Sequence, residues 1–102
     1  MNASPVVHIV LARWKAGFGE PDLQELTAAV GDLADHIPGI LAVHSGASTS
    51  PEGLEAGFEW ALVITFADGA ARDRYLPHPA HEPVKQLISA WADQVVVFDL
   101  DT

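Results

Sequence analysis

Three segments of this chain read as strands that are apolar on both parities. Val6-Val7-His8-Ile9-Val10-Leu11-Ala12 is β-branched and apolar throughout, broken only by His8. In the stretch from Phe58 to Ala67, Phe58, Trp60, Leu62, Ile64 and Phe66 alternate with Ala61, Val63 and Thr65. Val95-Val96-Val97-Phe98 is the third such run. Successive strand side chains point to opposite faces, so each of these strands needs cover on both.

The segments between them have helical spacing. Leu23, Leu26, Val30 and Leu33 recur at three and four after Pro21, and His36-Ile37-Pro38-Gly39 ends that helix. Ile40 to Thr49 reads as a weaker strand, and Ser50-Pro51-Glu52-Gly53 as a turn. Asp68 suits the N-cap of a short helix carrying Ala71, Arg72 and Tyr75, and Val84, Leu87, Ile88 and Trp91 form a last helical stripe. The order is β-α-β-β-α-β, the split β-α-β pattern. Right-handed crossovers put every helix on one face of a four-stranded, antiparallel-type sheet. The second face is then bare and apolar, which a lone soluble subunit does not tolerate. A homodimer burying two such faces is the expected arrangement, with residues 1–102 as one α+β domain.

The chain has 14 acidic and 5 basic residues, a net charge of −9. That balance argues against nucleic acid or an anionic membrane as partner. With no cysteine, disulfides, thiolate metal sites and cysteine nucleophiles drop out. No run approaches the roughly 20 apolar residues of a membrane span, and the start lacks a charged leader region. A cytoplasmic protein is expected.

Tyr75-Leu76-Pro77-His78-Pro79-Ala80-His81-Glu82-Pro83 interrupts the second helical region. Three prolines in seven residues forbid a continuous helix, so the chain makes a stiff corner carrying one tyrosine and two histidines. Val7-His8-Ile9-Val10-Leu11, Ile37-Pro38, Gly57-Phe58, Thr65-Phe66, Tyr75 with His78-Pro79-Ala80-His81, and Val97-Phe98-Asp99 run in one order along nearly the whole chain. In this the chain resembles the stress-responsive dimeric α/β-barrel (Dabb) family.

The resemblance implies a ferredoxin-like subunit that pairs into a dimeric α+β barrel. It does not imply one activity, since many members have no assigned chemistry. A plant polyketide cyclase of the family closes its substrate by aldol condensation, with a base matching His81, an assisting tyrosine matching Tyr75 and a pocket histidine matching His8. A further pocket histidine of that cyclase falls at Trp60 here, which implies a smaller or differently shaped pocket. Some relatives hold an ion on main-chain carbonyls near what would be Ala34, Ile37 and Ile40, and carbonyls leave no side-chain signature.

Histidine titrates near neutrality and can serve as a base, and a tyrosine hydroxyl can meet an oxygen that gathers charge. His81 and Tyr75 are therefore the catalytic candidates, with His8, Trp60 and His78 as substrate-binding candidates. A purely structural alternative has His81 capping the next helix and Tyr75 anchored through a bonded hydroxyl. His78 and His81, three apart across a proline, have no recognised metal-ligand spacing, and no metal or cofactor is expected. Arg72 and Arg74 read as a solvated face, with the alternative that one of them meets a carboxylate at the pocket mouth. The functional expectation is a cofactor-independent cyclase or lyase acting on a small apolar carbonyl or polyketide-like compound. The alternatives are a non-catalytic stress-responsive or ligand-binding dimer and, more remotely, a cofactor-free monooxygenase.

Overall fold

The computed structural model describes residues 4–102. Its elements are β1 (Val6–Trp14), α1 (Glu20–Gly31), α2 (Leu33–His36), β2 (Ile40–Gly46), β3 (Trp60–Phe66), α3 (Gly69–Tyr75), a 3-10 turn (Pro79–His81), α4 (Glu82–Trp91) and β4 (Ala92–Asp101). The strands form one sheet in the order β2-β3-β1-β4, antiparallel at every neighbour pair. Each β-α-β crossover therefore skips one strand, as the split pattern requires. The helices lie on one face, and the fold is ferredoxin-like.

Local chemistry sets the ends of these elements. The Asp22 carboxylate reaches back to the Gly19 amide at 2.9 Å, and Pro21 sits in the first turn of α1, where its missing N–H costs nothing. The expected stripe continues to Leu33, but α1 stops at Gly31 and a short α2 carries Leu33 into the core. Gly39, at φ +92°, turns the chain into β2. A side chain there is also excluded by α3, because its Cβ would fall 2.6 Å from the Ala71 Cβ. Asp68 accepts from the Ala71 amide at 2.8 Å and caps α3, as its position in the sequence implies.

Two strands differ in length from the sequence expectation. β2 ends at Gly46, short of Thr49, and a register shift between Ile40 and Ala42 accompanies a 61% exposed Leu41. β4 is ten residues long and starts directly after α4, because it pairs with β1 along nearly the whole of that strand.

Val6, His8, Val10 and Ala12 of β1 and Trp60, Leu62, Ile64 and Phe66 of β3 turn to the helices and are buried there. Val10, Ala12 and the four β3 residues share one core with Leu26, Val30, Leu33, Ile37, Tyr75 and Val84. Val7, Ile9, Leu11 and Val63 turn to the opposite face. Their strand partners place Val96, Phe98 and Leu100 beside them, and these three are exposed. No helix of the described residues is long and apolar enough to cross a membrane.

Candidate functional site

The proline corner builds the site. α3 ends on Tyr75, and the His78 amide bonds back to the Tyr75 carbonyl at 3.0 Å. The His78 ring then accepts from the Ala80 amide through Nδ1 at 3.0 Å, capping the 3-10 turn that delivers His81 to the start of α4. Pro79 and Pro83 fall in the first turns of their helices, positions that need no backbone donor. This path brings residues six apart into contact: the Tyr75 and His81 rings stack with centroids 4.0 Å apart.

A cavity of about 380 Å³ lies against this pair, between the sheet and α4. His8, Val10 and Leu62 form its floor, Tyr75, Leu76 and His81 one wall, and residues of α4 and β4, Val95 and Val97 among them, the rest. The His8 ring stands edge-on to Tyr75 at 5.9 Å. Three of the sequence candidates, His8, Tyr75 and His81, thus line one space.

Hydrogen bonds fix both histidine tautomers. Nδ1 of His81 lies 3.1 Å from the Leu76 carbonyl oxygen, which can only accept. His81 therefore carries its proton on Nδ1, and Nε2 has a free lone pair. Burial lowers the His81 pKa, and the nearby Lys85 charge lowers it further, against the Leu76 bond and Glu82, which raise it. Nδ1 of His8 donates to Asp99 at 2.7 Å, which turns Nε2 away from that carboxylate. The other Asp99 oxygen takes a bond from Arg72 at 3.0 Å. Arg72 is thus tied across to β4 and does not belong to a solvated face.

Tyr75 is the unusual member. It is fully buried, and its hydroxyl has no hydrogen-bond partner among the described residues. Burial raises its pKa far above the ordinary value, so the hydroxyl keeps its proton and remains a donor. His81 stands at the N-cap of α4 without a side-chain capping bond. Among the described residues, neither bond of the purely structural alternative, a capping His81 or an anchored Tyr75 hydroxyl, is made.

The two remaining candidates sit elsewhere. The His78 ring is turned to Ala80, and His78 does not line the cavity. Trp60 is core at the far end of β3, opposite Ala12, with its ring 5.5 Å from Trp14. It pairs four residues along β1 from His8 and does not reach this cavity. Sequence reasoning missed Asp99, Lys85 and Ser89. Lys85 and Ser89 follow His81 at four-residue spacing, a signal that was available. Asp99 meets His8 only through the β1–β4 register, which the sequence does not display. No group of three or more His, Cys, Asp or Glu side chains among the described residues is placed to hold a metal ion.

Comparison with known proteins agrees with the fold. Residues 6–102 match the profile of the Stress responsive A/B Barrel Domain, Dabb. The stress-response A/B barrel domain-containing protein HS1 of Arabidopsis thaliana is 32% identical over 95 residues, 93% of this chain and 87% of that protein. Olivetolic acid cyclase of Cannabis sativa is 22% identical over 94 residues, 92% of this chain and 93% of that protein. Among solved structures, the hydroxynitrile lyase of Passiflora edulis superposes with a TM-score of 0.87 at 22% identity, covering 97% of this chain and 94% of the other. A Thermobifida fusca protein described as dimeric and ferredoxin-like gives 0.84 at 23% identity, covering 98% and 92%. The profile match over nearly the full length, joined to the βαββαβ sheet described above, makes this chain a member of the stress-responsive A/B barrel (Dabb) family.

Proposed function

We propose that this protein is a homodimer whose subunits perform cofactor-independent proton-transfer chemistry on an apolar, carbonyl-bearing substrate, as a cyclase or lyase. Nε2 of His81 takes a proton from carbon beside a carbonyl. The electron pair of that C–H bond moves into the enolate, and the Tyr75 hydroxyl donates to the oxygen that gains charge. The enolate carbon then attacks a second carbonyl of the same molecule. The new alkoxide recovers the proton from His81. His8, held by Asp99, offers a second acceptor that orients the substrate.

The observation that carries this reading is the Tyr75 hydroxyl, buried without a partner among the described residues, on a ring that stacks on His81 and belongs to the cavity lining. A buried donor left unbonded costs stability, and a substrate oxygen is the partner it lacks. The cyclase and lyase names of two similar proteins support the reaction class. For the homodimer, the support is the open sheet face with Phe98 61% exposed, together with the dimeric description of several structural neighbours.

The test is turnover of linear β-polyketones by the wild type and by His81→Ala. The variant should stay folded and dimeric while losing at least about a hundredfold in rate. Equal rates in the two proteins would refute the reading. Binding of the polyketone with no conversion by the wild type would instead identify a ligand-binding dimer.

A further inference from the structure

His81, Lys85 and Ser89 stand at successive four-residue steps, and all three line the cavity. The chain has 14 acidic residues against 5 basic ones, yet no carboxylate is among the residues lining this cavity. Arg13 is bound to Asp93 at 2.8 Å, and Arg72 is held between Asp73 and Asp99. The pairing of Lys85 with Glu82 is looser. The Glu82 carboxylate lies 3.8 Å from its ammonium, beyond hydrogen-bond range, and the Lys85 side chain is 47% exposed.

We propose that Lys85, with the Ser89 hydroxyl one turn further along α4, is the binding point for a carboxylate carried by the substrate. The substrate is then an acid, its anionic end against α4 and its carbonyl-bearing part toward Tyr75 and His81. The placement of that second part rests on the reaction proposed above, but recognition of the acid does not.

Two physical arguments favour an anion here. The chain as a whole repels anions, so admitting one to an apolar cavity needs a local cation, and Lys85 is the basic residue on the wall. Lys85 and Ser89 also bring an ammonium and a hydroxyl donor to the lining of a cavity whose other residues are mostly apolar. A consequence follows for the base. In the free protein the Lys85 charge opposes protonation of His81. A carboxylate seated on Lys85 offsets that charge, so His81 becomes a stronger base when the acid is in place.

The test uses two unreactive probes of one shape, octanoate and octanamide, with the 102-residue chain and titration calorimetry at pH 7.5 and low salt. Octanoate should bind about tenfold more tightly than octanamide, a charge-assisted contact discounted for the half-exposed lysine. Lys85→Met should remove most of that advantage and leave octanamide binding unchanged, whereas Lys85→Arg should retain it. Glu82→Gln removes the competing carboxylate and should tighten octanoate binding. The proposal is overturned if wild type does not bind octanoate more tightly than octanamide, or if Lys85→Met weakens both probes alike, which would mean that the lysine stem only packs. Neither probe has the second carbonyl that turnover needs, so a failed polyketone assay leaves this result standing. A failed octanoate preference leaves the proposed reaction with an uncharged substrate.

Discussion

Tyr75→Phe should make the protein more stable while making it a worse catalyst. Most buried tyrosines lose stability on this change because a hydroxyl bond is lost. Here the hydroxyl is fully buried and unbonded, so the folded state carries its desolvation cost with no return. Such a group costs about 1–3 kcal/mol. The low end of that range, about 1 kcal/mol, is taken as the expected gain. The ring is retained, so its packing against Phe66 at 5.0 Å and its stack on His81 persist. A gain of about 1 kcal/mol corresponds to roughly 4–8 °C in Tm for a domain of this size. The assay is urea unfolding at fixed protein concentration, with thermal melts alongside, because dimerisation makes stability depend on concentration. A loss of about 1 kcal/mol would mean that the hydroxyl is bonded in the native state. That result would refute the reasoning and remove the ground for assigning Tyr75 as the donor.

Four further outcomes are expected. The His81 pKa is depressed, so the unfolded chain binds more protons than the native one between the native value and the ordinary 6.5. Stability should therefore fall as pH drops through that window. The activity profile should rise with a midpoint below 6.5 and stay flat through pH 8, with the acid limb lost in His81→Ala; a midpoint above 6.5 contradicts the assignment. Phe98→Glu places a charge on the open sheet face and should give a mass near 10.9 kDa by light scattering at micromolar concentration, where wild type gives twice that. A variant that stays dimeric refutes the interface. Gly39→Ala combines a positive φ with a 2.6 Å approach to Ala71 and should cost about 2–4 kcal/mol, read from the urea midpoint; a cost under about 1 kcal/mol would show that α3 is free to shift.

Much of the fold was legible because it is written in local periodicities. Runs apolar on both parities gave β1, β3 and part of β4, three-and-four spacing gave the helices, and two β-α-β crossovers leave few ways to order four strands. The limits were physical too. The length of β4 depends on how far β1 offers it hydrogen bonds, and the early end of β2 on the register shift beside Leu41.

For the site, the sequence by itself determined which side chains were available and that the prolines would make a corner of Tyr75 to Pro83. It also determined, by parity, that His8 shares a sheet face with Val6 and Val10. The tertiary structure decided the rest. Helical spacing alone points Tyr75 and His81 apart, and the path through Pro77 and Pro79 stacks them. Whether the Tyr75 hydroxyl is bonded or orphaned depends on neighbours that are distant in the chain. Trp60, four residues along β3 from the partner of His8, lies beyond the cavity because strand rise carries it away. Asp99 reaches His8 across 91 residues, through a strand register that no local pattern encodes.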